Sequence, residues 1–229
     1  MMRTHAALAL SVSLVLASGC RGDDENPPPD SGIADSYTGD GKVVTDGAGP
    51  AKETTIWKIT DGTIAEGANV LLKQVVVTAV DGYGQYTGDV YVQEQAGLTD
   101  STKVKGSGLK LFNPVRTDGI LSDLKPGDLV KVEGKVKHFT PKGGFNDKKH
   151  PNKKHIKELE KPKITRIGPG SAPTPTDVTA KDLTTDPTAE GYEFTLVRIK
   201  DVRVTSDKDK YDEFWVTGSL KIADDMFPY

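Results

Sequence analysis

Between Lys135 and Arg166 the chain carries ten lysines and one arginine against only Asp147, Glu158 and Glu160, in a protein whose formal net charge is -3. The stretch KVKHFTPKGGFNDKKHPNKKHIK is punctuated by glycine and proline, so it reads as a strand running out into a long loop. Ammonium groups at that density attract phosphates through counterion release, largely without regard to base sequence. An aromatic ring among them offers a face to an unstacked base. The candidate contacts are Lys142, Lys148, Lys149, Lys153 and Lys154, with Phe145, Tyr91 and Tyr83 as stacking surfaces. The same composition also suits a solvated face or the guard of a strand edge. His150 and His155, with Asp147 nearby, match no zinc spacing, and surrounding ammonium groups repel a dication. Asp81, Gly82, Gly84 and Asp89 in DGYGQYTGD have the composition of a calcium loop without its ligand order, and read better as a hairpin turn. No metal and no cofactor is expected.

Catalytic signatures are lacking in the same reading. There is no G-x-S-x-G, no H-E-x-x-H and no Walker loop. A binding or structural module, not an enzyme, is the expectation.

Cys20 is the single cysteine, and MMRTHAALALSVSLVLASGC precedes and includes it: Arg3, an apolar run from Ala6 to Ala17, then Ser18 and Gly19. A run of about a dozen apolar residues is short for a membrane-spanning helix, which needs roughly 20. The segment resembles the signal sequence of bacterial lipoproteins, departing from it at Ala17, where leucine is usual. That resemblance implies removal of residues 1–19 and acylation of Cys20 with more than one chain, a stable lipid anchor that makes the membrane a partner. Arg21, where inner-membrane retention uses aspartate, points to the outer membrane of the cell envelope. Residues 20–54 are rich in Asp, Gly, Pro, Ser and Thr and poor in apolar pairs, so a disordered tether is expected there.

Strand patterns follow. VLLKQVVVTAV (Val70 to Val80), GDVYVQEQ (Gly88 to Gln95) and GLKLFN (Gly108 to Asn113) are β-branched or alternating. LKPGDLVKVEGKVKHF (Leu124 to Phe139) turns at Pro126-Gly127-Asp128, and its Gly134 predicts a bulge or bend. A last strand is expected at Lys157 to Ile167, and no segment has a sustained helical period; the best candidate for a helical turn is Gly119 to Leu124. This succession resembles the OB-fold domains of secreted and lipid-anchored bacterial proteins, some attached to extracellular nucleases. It implies an all-β chain with a five-stranded Greek-key barrel over residues 55–167. An immunoglobulin-like sandwich would need about seven strands.

An internal repeat extends the pattern. VLLKQVVVT at Val70 matches VRIKDVRVT at Val197, DVYVQE is echoed by EFWVTG, and GLKLF by SLKIA. GPGSAPTPTD over 168–177 reads as a Pro-rich linker, leaving 178–229 as a partial second OB-like copy. That copy supplies three strands, so either the sequence is a piece of a longer protein or another chain completes the barrel. The functional expectations are an envelope lipoprotein that binds a polyanion, single-stranded nucleic acid or acidic polysaccharide, through the lysine-rich loop; a structural unit docking an envelope protein partner; or the front of an extracellular nuclease.

Overall fold

The computed structural model describes residues 49–81, 88–115, 123–140, 155–171, 173–185, 188–209 and 213–222, together with the backbone of 12–15. The strands in chain order are β1 (Val12–Val15), β2 (Lys52–Glu53), β3 (Asn69–Val80), β4 (Val90–Gln93), β5 (Gly108–Phe112) and β6 (Asp128–Phe139). They continue with β7 (Ile156–Pro169), β8 (Thr176–Val178), β9 (Leu196–Ile199), β10 (Phe214–Val216) and β11 (Leu220–Ile222). Among the described residues, three five-residue helices are α1 (Ile56–Thr60), α2 (Gln95–Thr99) and α3 (Ala180–Thr184).

Strands β3 to β7 form a closed barrel in the order β3-β4-β5-β7-β6, with β6 returning to pair with β3. All contacts round the ring are antiparallel except β5 with β7, which is parallel. This is the five-stranded Greek-key arrangement of the OB type. Alternation along each strand fills the interior with Val70, Leu72, Val90, Val92, Leu109, Leu111, Val130, Val132, Val136, Leu159 and Ile164, all buried. Helix α1 adds Ile56 and Ile59 to that core. Its start has no side-chain cap of its own; instead the Ile56 amide donates to Glu94 Oε1 at 2.7 Å, across 38 residues of chain.

The long strands bend to close the ring. At Gly134 the β6–β7 register shifts, as the sequence leads one to expect. A Cβ there would lie 2.9 Å from the Pro162 Cβ and 3.3 Å from the Leu159 Cβ, so the two strands come together only over a glycine. The turn into β6 has Gly127 at φ 98°, with the Asp128 amide donating to the Lys125 carbonyl.

The second copy repeats the first strand by strand. Val77 pairs with Val92 in the first, and Val204 bridges Val216 in the second. Val92 faces Leu109, and Val216 faces Leu220. The repeat also reaches further upstream than the sequence shows. Strand β2 lies parallel to β3 and is followed by α1; β8 lies parallel to β9 and is followed by α3. Even an ion pair is duplicated, Glu53 with Lys73 at 2.6 Å and Asp177 with Lys200 at 2.5 Å. Strand β1 pairs antiparallel with β9, Leu14 opposite Val197 and Val12 opposite Ile199. In the first copy β6 takes that place, Gly134 opposite Val70 and Val132 opposite Leu72. β1 falls within the stretch expected to be a signal peptide.

Two expected boundaries shift. The first copy begins before residue 55, because β2 and the buried Thr54 already belong to it. The linker over 168–177 is strand at its two ends: β7 runs through Pro169 and β8 starts at Thr176. The helical turn expected at Gly119 to Leu124 lies outside the described residues except for Asp123 and Leu124, the latter buried in the core.

Candidate functional site

The outer face of the barrel carries the chemistry. Facing outward, Tyr91 on β4 stands opposite Lys110 on β5, Lys110 opposite Glu158 on β7, and Glu158 opposite Lys137 on β6. One row of side chains therefore crosses four strands toward the end of the barrel where β4 starts and β6 ends.

The Tyr91 end of this row is covered. Its ring is only 4 % exposed and lies 5.9 Å from that of Phe194, in a cluster with Ala79, Ile156 and Leu196. Two residues along β4, the fully buried Gln93 donates through Nε2 to Ser107 Oγ at 2.9 Å and accepts through Oε1 from the Leu196 amide at 2.9 Å. Opposite Gln93, a Cβ on Gly108 would stand 2.3 Å from the Phe194 carbonyl oxygen. The second copy is thus seated on the β4–β5 face of the first. Tyr91, expected as a stacking surface, serves as a packing residue at that seat, because its outward face is where the second copy lands.

The other end of the row is open. Phe112 points outward from β5 with 36 % of its surface exposed, and the Lys110 ammonium lies 5.1 Å from the centre of its ring. Lys110 also pairs with Asp89 at 2.9 Å, and the Asn113 amide donates to the other oxygen of that carboxylate. Asp89 is therefore engaged in holding the β4 and β5 ends together. Beyond them, Lys137 pairs with Glu160 at 2.7 Å, which holds the Glu160 carboxyl below its usual range. Lys135, Lys161 and Lys163 lie exposed along the β6–β7 hairpin and enter no ion pair among the described residues. The positive stripe leads up the hairpin toward the lysine-rich loop.

Two titratable features sit within this face. Glu158 is only 2 % exposed, and burial is the main cause that pushes its carboxyl up to about 7, against the pull of Lys110. At the root of the loop, the rings of His138 and His155 stack with centroids 4.0 Å apart and planes 7° from parallel. Glu66, from the turn before β3, accepts from the His138 amide at 3.1 Å and places its other oxygen 3.6 Å from His138 Nδ1. The Nε2 of His138 is buried without a hydrogen-bond partner among the described residues.

Of the residues singled out by sequence, Lys142, Phe145, Lys148, Lys149, Lys153, Lys154, Tyr83 and Cys20 lie outside the described residues. Phe112 was missed, although its outward position was legible: in GLKLF the leucines alternate inward and Phe112 takes the other face. Among the described residues no group of three or more His, Cys, Asp or Glu side chains is arranged to hold a metal ion, and no helix is long and apolar enough to cross a membrane. Compared with family models, curated proteins and solved structures, the chain matches none.

Proposed function

We propose that the protein is a non-enzymatic, lipid-anchored envelope protein whose OB-type barrel binds single-stranded nucleic acid through the open end of its outer face. The observation that carries the reading is the pairing of Phe112 with Lys110: an exposed ring with an ammonium group at 5.1 Å. A ring so placed can stack on a base while the ammonium group meets the neighbouring phosphate. Lys135, Lys161 and Lys163 extend the positive surface along the hairpin, and Lys142, Lys148, Lys149, Lys153 and Lys154 follow β6 in the sequence. Anchoring through Cys20 with a tether over the following residues would present this face from the outer membrane, the placement that Arg21 favours.

The test is binding of a fluorescent oligothymidylate to the protein lacking residues 1–20, across a salt series. Micromolar affinity that falls steeply with salt, and falls severalfold further in Phe112→Ala, supports the reading. If dextran sulfate binds equally well and Phe112→Ala changes neither ligand, the partner is an acidic polysaccharide and the nucleic-acid reading falls.

A further inference from the structure

The second copy repeats the chemical row of the first as well as its strands. In the first, Tyr91 stands opposite Lys110, and Lys110 pairs with Asp89, two residues before the tyrosine. In the second, Trp215 stands opposite Lys221, and Lys221 pairs with Glu213, two residues before the tryptophan. The neighbouring inward positions match too: Val92 opposite Leu109 and Val216 opposite Leu220 are buried in their respective cores. An acid, a ring and a lysine thus recur in one register on both copies.

What differs is the cover. Tyr91 is 4 % exposed beneath Phe194, whereas Trp215 is 40 % exposed. The groups that make the first face a seat are not kept on the second. Gln93, whose Oε1 receives the Leu196 amide, has Thr217 as its counterpart, and Thr217 Oγ1 already accepts from the Arg203 amide at 3.2 Å. Gly108, which lets the Phe194 carbonyl approach, corresponds to Ser219 in the match of GLKLF with SLKIA, so a side chain stands where the first copy tolerates none. The second face keeps the row and loses the docking groups, which favours a small flat ligand over another domain.

The backbone under the ring is fixed. The Thr205 amide donates to the Trp215 carbonyl at 2.8 Å, and the Trp215 amide donates to Ser206 Oγ at 2.9 Å. Lys221 is held by Glu213 and, at 3.1 Å, by Asp209. With two carboxylates beside one ammonium group, this face offers phosphate little net attraction. What it offers is an exposed indole, and stacking suits any base because every base has a π-face.

We infer that the second copy carries its own base-stacking site for single-stranded nucleic acid, Trp215 beside Lys221. The inference rests on the nucleic-acid reading above and adds a contact that differs in kind, acting through a ring and not through charge. Trp215→Ala should therefore weaken oligothymidylate binding roughly tenfold. The salt dependence should stay unchanged, since no charge that neutralises phosphate is removed.

The experiment follows the indole N–H resonances of the protein lacking residues 1–20 by NMR during titration with oligothymidylate. The chain has two tryptophans, Trp57 and Trp215, and Trp215→Phe assigns them. Trp57 donates Nε1 to the Lys103 and Lys105 carbonyls and serves as the internal reference. The Trp215 resonance should move as the ligand saturates while that of Trp57 stays in place. Trp215→Phe, which keeps a ring, should bind more tightly than Trp215→Ala. A Trp215 resonance unmoved at saturation overturns the inference, as does a Trp215→Ala protein of wild-type affinity. A resonance that moves when the protein alone is concentrated makes the face a protein seat and overturns it equally. Absence of oligothymidylate binding by the unsubstituted protein, even at low salt, overturns the nucleic-acid reading itself and is distinct from binding that bypasses Trp215.

Discussion

Leu196 donates its backbone amide to the side-chain oxygen of Gln93 at 2.9 Å, and this buried bond ties the second copy to the first across 103 residues of chain. The same Gln93 amide group holds Ser107, whose hydroxyl donates on to the Val104 carbonyl at 2.6 Å. A buried network of this kind is stabilising only while every member is satisfied. Gln93→Leu should therefore cost about 2–3 kcal/mol, since it leaves the buried Leu196 amide without an acceptor and removes the bond that Ser107 Oγ accepts. Urea denaturation of the full chain would read that loss.

The seat can be broken from the other side. A side chain at Gly108 meets backbone, the Phe194 carbonyl, and no rotamer relieves that. Gly108→Val should undock the second copy while the barrel core survives. Hydrogen exchange would show the Leu196 amide losing protection, whereas amides of β3 such as Leu72 and Val75 remain protected.

Glu158 makes stability depend on pH. Burial raises its folded-state pKa from 4.5 to about 7, so the native state binds the proton more tightly than the unfolded chain does. The contribution is fully present below about 4.5 and is lost as pH rises through about 7. At full size the shift corresponds to about 3 kcal/mol. Glu158→Gln should flatten this limb in a series of melting temperatures from pH 4.5 to pH 8, and a limb of unchanged slope would show that other groups set it.

Glu94 caps a helix from a distance. Its carboxylate satisfies the first amide of α1, which has no local capping side chain. Glu94→Ala should destabilise the barrel by about 1–2 kcal/mol, in the range of lost N-caps. Glu94→Gln, which keeps an acceptor oxygen, should recover most of it. Equilibrium unfolding of the two variants side by side checks both.

Anchoring is tested in cells. With Cys20 replaced, Cys20→Ser should abolish incorporation of an alkyne-labelled fatty acid and release the protein from the membrane fraction. Label retained in that variant would refute acylation at Cys20.

The five barrel strands were legible because each alternates apolar and polar residues over a buried interior, as in Val90 and Val92 or Val130 and Val132. The repeat was legible because the pair Val77 with Val92 recurs as Val204 with Val216, of which Val77, Val92 and Val216 are buried and Val204 is exposed. Elements without such a pattern were not. β2 is two charged residues held by a parallel neighbour, and α1 is too short to show a helical period. Gln93 and Tyr91 have the types and spacing of solvent-facing residues; only the arrival of the second copy buries them. Glu158 likewise stands in a run of charges, and nothing in KELEK distinguishes the buried carboxylate from its exposed neighbours. The lysine-rich stretch was the strongest chemical signal in the sequence, and the structure describes its stem on β6 and β7.

The seat of the second copy over Tyr91, Gln93 and Gly108 shortens what the barrel strands can grip. From Lys110 to Phe112 the open part of β5 measures roughly 7 Å, room for about one base, whereas an OB fold takes about 4–16 nucleotides in all. On the proposed reading, a single molecule with so small a foothold would hold a polymer only briefly. Copies anchored side by side in one membrane would engage the same strand at many points, and retention would then grow with polymer length and surface density, a matter of avidity more than of any one contact.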